Sequence, residues 1–506
     1  MSVFRSLAVS ALVIAFSGSA ALADLSADQV WQDWKAYLED LGYRVDSDES
    51  RSGETLTIRD LAMEIALPED QGAVSMRMGQ VEFVENGDGT VSVVLPETIP
   101  IAIAASDDEA QQVTATMEVT HTALEMVVSG TRDAMEYDYD AEAVTMALTE
   151  LQAGDETPEI RAAQIRLENL SGKSQTALGE AARTVQQNMT AGPVTYDLDF
   201  TDPTEGGTLV FSGSLARANF AGAGTIPDSF DAEDIAAALR DGFQFDSRME
   251  YETGSTAYRF EDAGDVLEGT NSSESGSLKT SIGPDGLRYG GAGDGVKMAI
   301  SASDMPFPVN LSMARMAFDI AMPVIESEAM QDYALGLEFS EFTMPEQLWS
   351  MFDPGAQLPR DPATLLIDLS GKGRLFFDLL DPEQVANIEG NEAAPGEVES
   401  LTLHDLTLEL AGAKLTGEGA FTFDATDTTS FGGAPAPEGA LDLRLVGGNG
   451  LLDQLITMGL VPQDQATGVR MMMGLFARPG PGEDELVSKI EVTEDGQVLA
   501  NGQRIK

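Results

Sequence analysis

The residues that most often build catalytic and metal sites are scarce in this chain. It has two histidines, His121 and His404, and no cysteine. A transition-metal site would therefore need both histidines together with carboxylates, which is an unusual ligand set. His404 takes the place of Arg59 in a recurring strand pattern described below, and this favours an exposed or hydrogen-bonded side chain over a general base. The sequence predicts no transition-metal site.

Motifs for nucleophilic catalysis and for nucleotide binding are absent or incomplete. The sequence contains no Gly-x-Ser-x-Gly. Gly172-Lys173-Ser174 matches the end of a phosphate-binding loop, but Leu167 stands where that loop needs its first glycine. The segment 291–295 begins like a dinucleotide fingerprint, and Val296 occupies the position of its last glycine. We therefore predict no catalytic residue and no cofactor, and interpret the protein as non-enzymatic.

Three acids in one strand-like segment are the clearest carboxylate cluster. Glu136, Asp138 and Asp140 alternate with tyrosines, which places all three on one face of a strand. This pattern is compatible with a calcium site and with a solvated sheet face, and the second is our expectation. A glycosidase needs only two suitably spaced carboxylates, so an acid-residue hydrolase remains an alternative that no motif supports. No metal ligand is assigned.

The charge balance restricts the possible partners. Asp and Glu number 85 against 29 Lys and Arg, for a formal net charge of −56. Such a surface repels phosphate groups, so nucleic acid and anionic lipid headgroups are excluded as expected partners.

The N-terminal residues predict export. Arg5 precedes an apolar run from Leu7 to Phe16, and Ala21-Leu22-Ala23 matches a signal-peptidase site. The run is shorter than the roughly 20 residues that span a bilayer, and no later apolar stretch is long enough either. We expect a signal peptide over residues 1–23, cleavage after Ala23, a periplasmic location in a Gram-negative-type envelope, and no integral membrane span.

Helix and strand signals indicate a mainly β protein. Ser26 and Gln29 form a capping box that begins a helix, and Gly42 is placed to end it. Most later segments alternate apolar and polar residues, as half-buried strands do. Shorter helices are predicted over 232–240, 345–352 and 450–458, another around Met471–Met473, and loops over 264–277 and 424–439.

One strand pattern recurs along the chain. Residues 56–66 (LTIRDLAMEIA) and 401–411 (LTLHDLTLELA) are identical at six of eleven positions, and residues 311–321 form a looser copy. In each copy the apolar alternation slips by one residue after the fourth position. A slip sends later side chains to the opposite face unless a bulge or kink absorbs it, so the unit predicts a strand that bends midway. Leu61 and Leu406 are then equivalent core positions.

A longer duplication is indicated by two similar segments. Residues 42–47 (GYRVDS) and 242–247 (GFQFDS) each follow a predicted helix. We predict two related modules, 24–226 with the N-terminal helix and 227–506, which is longer and contains short helices. The predicted fold class is mainly β, an elongated bent antiparallel sheet in two related modules with a few short α-helices.

Several motifs carry a family resemblance. They are the helix with Trp31 and Trp34, Pro306-Phe307-Pro308-Val309, the segment from Trp349 to Pro362, and the closing residues 495–502. With these motifs, nearly all of the predicted mature chain resembles an uncharacterised envelope family known as domain of unknown function 2125, which brings no functional residues. The bent strands and the ending also distantly resemble AsmA-like periplasmic proteins, and this resemblance implies a grooved sheet that handles lipid.

The functional prediction is a periplasmic protein that binds acyl chains or another apolar segment in a β-groove. Ordinary core filling is the simpler explanation of the 22 methionines, and an adaptable apolar surface that faces a ligand is the alternative. The alternative is a structural or interaction scaffold of the cell envelope, and the sequence identifies no protein partner for it.

Overall fold

The computed structural model describes residues 25–66, 72–106, 112–154, 157–202, 206–232, 234–381, 384–385 and 395–506. The predicted signal peptide, residues 1–23, lies outside these ranges. Within them, every helix is too short or too polar to cross a bilayer.

Strands make up most of the fold. Across the described residues, 25 strands form one antiparallel sheet. The strands of its first half are β1 Arg44–Ser52, β2 Thr55–Ala66, β3 Gly72–Glu85, β4 Val91–Val94, β5 Thr98–Ser106, β6 Gln112–Thr122, β7 Glu125–Thr131, β8 Ala134–Ala153, β9 Glu159–Leu178, β10 Ala182–Ala191, β11 Val194–Thr201 and β12 Thr208–Pro227. Those of the second half are β13 Gln244–Asp262, β14 Asp265–Gly283, β15 Gly286–Ala302, β16 Val309–Met322, β17 Gln331–Phe342, β18 Ala363–Leu375, β19 Gly396–Leu410, β20 Ala413–Asp424, β21 Ala436–Val446, β22 Arg478–Pro479, β23 Glu485–Val492, β24 Val498–Ala500 and β25 Gln503–Arg504.

The strands follow one another across the sheet almost in chain order. From β11 to β21 each strand pairs with the next one in the sequence. Earlier, two short strands share one long neighbour: β3 pairs with β4 and β5, β8 with β6 and β7, and β9 with β10 and β11. The predicted fold class, a mainly β antiparallel sheet with a few short helices, is confirmed.

The predicted module boundary falls at the end of β12. β12 and β13 pair from Thr208–Glu261 to Thr225–Gln244, so the sheet continues across residue 227 without a break. The division into two related modules stays a prediction.

Five helices lie along this sheet among the described residues: α1 Ala27–Asp40, α2 Ile235–Arg240, α3 Glu346–Phe352, α4 Gly448–Thr457 and α5 Gln463–Phe476. The capping box of Ser26 and Gln29 is present, and the helices predicted from residues 345 and 450 form within two residues of those starts. The helix predicted from residue 232 begins at Ile235.

The duplicated segments have the same local structure. Gly42 and Gly242 both have positive φ, at 88° and 100°. Tyr43 N donates to Leu38 O at 2.9 Å, and Phe243 N donates to Ala238 O at 2.8 Å. These six-to-one bonds are Schellman caps, which need glycine because only glycine adopts this conformation without strain. Each cap leads from a helix into a long strand.

The recurring strand unit bends as its pattern predicts. In β2, Leu56, Ile58, Leu61 and Met63 are all buried on one face, although the alternation slips after Ile58. Asp46 and Asp48 of β1 are separated by one residue, whereas their partners in β2, Ala62 and Arg59, are separated by two. A bulge of this kind restores the inward face and bends the strand.

The same feature recurs in other long strands. Positive φ angles occur within the sheet at Asp60, Asn169, Thr253, Gly295 and Glu341, in β2, β9, β13, β15 and β17. We call the line through these residues the crease. It divides the long strands into two arms.

The loop predicted over residues 264–277 is wrong, because this segment is part of β14. Its glycines lie beneath tyrosine rings of β13, where a methyl group at Gly269 or Gly276 would collide with Tyr258 or Tyr251. An aromatic ring that covers a cross-strand glycine restores the packing that glycine lacks, so a serine- and glycine-rich segment forms a strand here. The other predicted loop is largely confirmed, since β20 ends at Asp424 and β21 begins at Ala436.

The main hydrophobic core lies beneath α1. Val30 and Trp31 of the helix pack against buried residues of β2, β3, β4, β7 and β8. Two smaller clusters lie beneath α2 and beneath α3 with α4, around Leu239 and Trp349.

Candidate functional site

Apolar side chains form ladders across one face of the sheet. Directly opposed residues of antiparallel strands project from the same face. One ladder consists of Phe200, Leu209, Phe260, Leu267 and Ala302, from β11 to β15. A second consists of Tyr289, Ile320, Leu335, Leu369, Leu403, Gly419, Leu441 and Ile490, from β15 to β23. We call the channel lined by these ladders and their same-face neighbours the trough.

The trough is deepest at the crease and open towards the strand ends. In β9, Leu170 beside the crease is 9% exposed, whereas Ile165 farther along the same face is 48% exposed. In β15 the corresponding values are 9% for Val296 and 41% for Tyr289. A flat face would expose both positions of each strand similarly. The two arms therefore shelter the residues at the crease and leave the outer apolar residues accessible.

Charge is separated between the two faces. Outside the crease and the strand ends, no described residue that faces the trough in β11 to β21 is Asp, Glu, Lys or Arg. The opposite, outer face carries ion pairs between neighbouring strands, among them Arg161–Asp199, Lys173–Glu136, Arg259–Glu268, Arg288–Asp319, Arg315–Asp294 and Lys372–Asp332. Away from the crease and the strand ends, the trough thus offers dispersion contacts and no charged side chain.

Tyrosine rings that cover glycines line parts of the trough. The Tyr196 ring covers Gly213, and its hydroxyl lies 2.6 Å from Thr256 Oγ1. The Tyr333 ring covers Gly371, and its hydroxyl donates to Ser400 O at 2.9 Å. These bonds hold the rings flat against the sheet, so this part of the surface is formed before any ligand arrives.

A polar network holds α3 in place beside the sheet. Asp353 is fully buried and accepts hydrogen bonds from Leu358 N at 2.8 Å and Arg360 Nη1 at 2.6 Å. The Arg360 guanidinium lies 4.4 Å from the centre of the Trp349 ring. Burial by itself raises the pKa of Asp353, and the bonds from two backbone N–H groups and Arg360 outweigh it, so the pKa lies below its usual range. This motif therefore has a structural role.

The two histidines do not form a site together. His121 lies on β6, and its Nε2 is 2.9 Å from Pro96 O. His404 lies on β19, and its Nε2 is 2.7 Å from Ser370 Oγ of β18. β6 and β19 are not neighbours in the sheet. His404 is exposed and hydrogen-bonded, as its exchange with Arg59 indicates.

The acids of β8 belong to the outer face. Lys173 Nζ lies 2.5 Å from Glu136 and 3.1 Å from Asp138. The hydrogen bond from Lys173 lowers the pKa of Glu136. In the described ranges, no group of three or more histidines and acids is arranged to hold a metal ion. The incomplete nucleotide motifs, at 172–174 and 291–295, lie within β9 and β15.

Reasoning from the sequence missed the trough residues individually. Their signal is weak, because Gly, Ser, Thr and Asn occupy many inward positions of β13 to β15 between the apolar ones. Cross-strand register makes these positions part of one apolar surface, and register is not visible in a single strand.

Comparison with known proteins identifies a family and little else. No curated protein matches the chain. Among solved structures, the alcaligin outer membrane receptor FauA from Bordetella pertussis is 9% identical, with 90% of this chain and 69% of that chain covered and a TM-score of 0.16. A similarity at that TM-score supports no conclusion about fold or function.

The family profile described as "Uncharacterized protein conserved in bacteria (DUF2125)" matches residues 256–504. The motifs at 306–309, 349–362 and 495–502 lie inside this match, and the helix with Trp31 and Trp34 lies outside it. The resemblance to AsmA-like proteins stays a prediction. Over residues 256–504, this chain is therefore similar to the uncharacterised bacterial family DUF2125.

Proposed function

We propose that the trough binds acyl chains, and that the protein does so as an exported, non-enzymatic component of the cell envelope. The observation that carries this proposal is the continuous, uncharged and partly accessible apolar face. Monomeric proteins rarely leave such a surface uncovered unless it binds something. At about 4.8 Å per strand, the face from β11 to β21 runs roughly 50 Å, which suits an extended chain better than a compact ligand.

The energy of binding would come from buried methylene groups. Each contributes about 0.8 kcal/mol, or roughly fourfold in affinity. The protein's net charge of −56 disfavours an anionic headgroup near the trough. Affinity should therefore rise with chain length and depend weakly on salt.

The experiment is a titration with fluorescent acyl chains of several lengths at low and high salt. Ile320→Glu places a charge on the trough face, and Asn310→Glu places the same charge on the outer face of the same strand, β16. We expect Ile320→Glu to lower affinity at least about tenfold, since it adds a desolvated charge. Asn310→Glu should bind as the parent chain does. Equal binding by both variants, or no saturable binding by the parent, would overturn the proposal.

An envelope scaffold is the second candidate, and one observation favours it. Helix α5 leaves Val469, Met471, Met472 and Leu475 exposed, although each is apolar. A partner that covers this helix would explain the exposure. Loss of a co-purifying protein from Met471→Ser/Leu475→Ser, with acyl-chain binding unchanged or absent, would support this function.

A further inference from the structure

A cavity of about 450 Å³ lies between α1 and the sheet, away from the central trough. Its volume is within the range of small-molecule sites, about 300 to 1,000 Å³. We propose that it is a separate binding site for a single-chain amphiphile whose head is uncharged, such as a long-chain alcohol. This inference does not depend on acyl-chain binding in the trough.

One wall of the cavity is adaptable and apolar. Met63, Met76 and Met78 from β2 and β3, and Met126 from β7, all contribute to it. Trp34 of α1 closes the same side. Methionine has three rotatable bonds and a polarizable sulfur, so four of them together can accommodate a flexible alkyl chain in several conformations.

The cavity also contains polar groups, and its charges are already compensated. Asp33 of α1 accepts a hydrogen bond from Arg183 Nη1 at 2.7 Å and from the Tyr137 hydroxyl at 3.3 Å. Arg183 is only 3% exposed, so this ion pair is buried. Burial is also the main reason that the pKa of Tyr137 is raised, which keeps the hydroxyl neutral.

Neutral hydrogen-bonding side chains also line the polar part of the cavity. Ser174 and Thr176 of β9 and Gln187 of β10 face the cavity. Gln187 Nε2 donates to the Tyr139 hydroxyl at 3.0 Å. A ligand hydroxyl can exchange hydrogen bonds with such groups in either direction, whereas a charged head would need a counter-ion.

The charge arrangement selects against both kinds of ionic head. A carboxylate would lie near Asp33, and the residues that line the cavity include no lysine or arginine to compensate it, while the nearby Arg183 is already paired with Asp33. An ammonium head would compete with Arg183 for Asp33 and leave the buried guanidinium with only the exposed carboxylate of Asp40, 3.8 Å away. Either would carry the cost of an unpaired buried charge, which an uncharged head avoids.

The three tryptophans make the site measurable. Trp34 lines the cavity, Trp31 packs beside it on α1, and Trp349 lies on α3 in a different cluster. A brominated dodecanol bound in the cavity should quench the emission of Trp34. We expect Trp349→Phe to retain this saturable quenching and Trp34→Phe to lose most of it. Quenching that survives in Trp34→Phe but disappears in Trp349→Phe would place the ligand elsewhere and overturn the proposal.

Head selectivity is tested by competition with ligands of the same chain length. Dodecanol should displace the brominated probe at least tenfold more effectively than dodecanoate or dodecyltrimethylammonium. Equal displacement by all three would contradict the argument from Asp33 and Arg183.

A pair of reciprocal variants separates this site from the trough. Thr176→Phe fills the cavity and should abolish Trp34 quenching while acyl-chain binding in the trough persists. Ile320→Glu should do the reverse. Loss of both signals in a folded Thr176→Phe variant would mean that there is one site rather than two. If that variant does not fold, the comparison of Trp34→Phe with Trp349→Phe still decides the outcome.

Discussion

The sheet beneath α1 and the sheet around the central trough are built from similar bent strands but differ in accessibility. Leu61 follows the slip in β2 and is 1% exposed beneath the helix, whereas Leu406 follows the same slip in β19 and is only half-buried. The two leucines are equivalent in the strand pattern, as predicted, but only Leu61 belongs to the core. The strand pattern produces an apolar face in both regions. Whether a helix packs over that face decides whether it becomes core or an accessible surface.

Helix α1 is held over its region by polar anchors as well as by packing. Trp31 Nε1 donates to Glu49 at 2.8 Å, and Ala27 N donates to Glu85 at 2.9 Å. Glu85 also accepts from Arg51 Nη2 at 2.7 Å, and this hydrogen bond is the main cause of its lowered pKa. Over the central trough, by contrast, α2 packs on the cluster around Val324 and Ile325, and α4 and α5 contact β20 and β23 towards the last strands of the sheet.

The largest expected effect tests the comparison directly. Leu61→Asp buries an unpaired charge and should lower the free energy of unfolding by about 4 kcal/mol. Leu406→Asp can be hydrated and should cost about 1 to 2 kcal/mol. The outer-face substitutions Ala62→Asp and Thr407→Asp are the controls, each within about 1 kcal/mol. Denaturant unfolding measures all four variants. Equal losses of unfolding free energy for Leu61→Asp and Leu406→Asp would show that the two positions do not differ as core and trough.

The buried ion pair beneath α1 should give the next largest effect. Asp33→Ala removes the close partner of the buried Arg183 guanidinium and leaves it only the exposed Asp40 carboxylate at 3.8 Å, which should cost about 3 to 5 kcal/mol. Replacing both residues with leucine should recover most of this loss, because no charge is then buried. A double variant as unstable as Asp33→Ala would show that the pair stabilises the region by more than mutual compensation.

The covered region around α3 should respond to pH through Asp353. Because its pKa is lowered in the folded chain, the carboxyl stabilises the fold above its unfolded pKa, about 3.9. This stabilisation is lost as the pH falls through the lower folded value. Unfolding followed from neutral pH to about pH 3 should show a steeper loss for the parent chain than for Asp353→Asn. Identical slopes would show that protonation of Asp353 is not linked to unfolding.

The smallest effect is expected on the outer face behind the trough. Arg288 and Asp319 pair at 2.8 Å, but both side chains are substantially exposed. Arg288→Gln should change the free energy of unfolding by less than about 1 kcal/mol, and added salt should reduce the difference further. Arg288→Gln should leave acyl-chain binding unchanged. A loss of binding would mean that charges on the outer face influence binding in the trough.

Much of the local structure could be predicted from the sequence. The capping box at Ser26, the glycine caps at Gly42 and Gly242, and the bend in β2 are set by residues close together in the chain. The serines and glycines of residues 264–277 predict a loop because they favour turns, and only the tyrosines of β13 make this segment part of a strand. The cavity beneath α1 cannot be predicted from the sequence, because the residues that line it come from seven separate elements.

The sequence by itself determined the acidic charge, the bent strands and the apolar side that each strand presents, because alternation and turn chemistry act over a few residues. Tertiary structure alone decided which part of that apolar face is covered. Asp33 meets Arg183 across 150 positions of the chain, and Ala27 meets Glu85 across 58. Contacts over such separations depend on how the whole sheet curls. That is why the same strand pattern gives a closed core beneath α1 and an open trough beyond it.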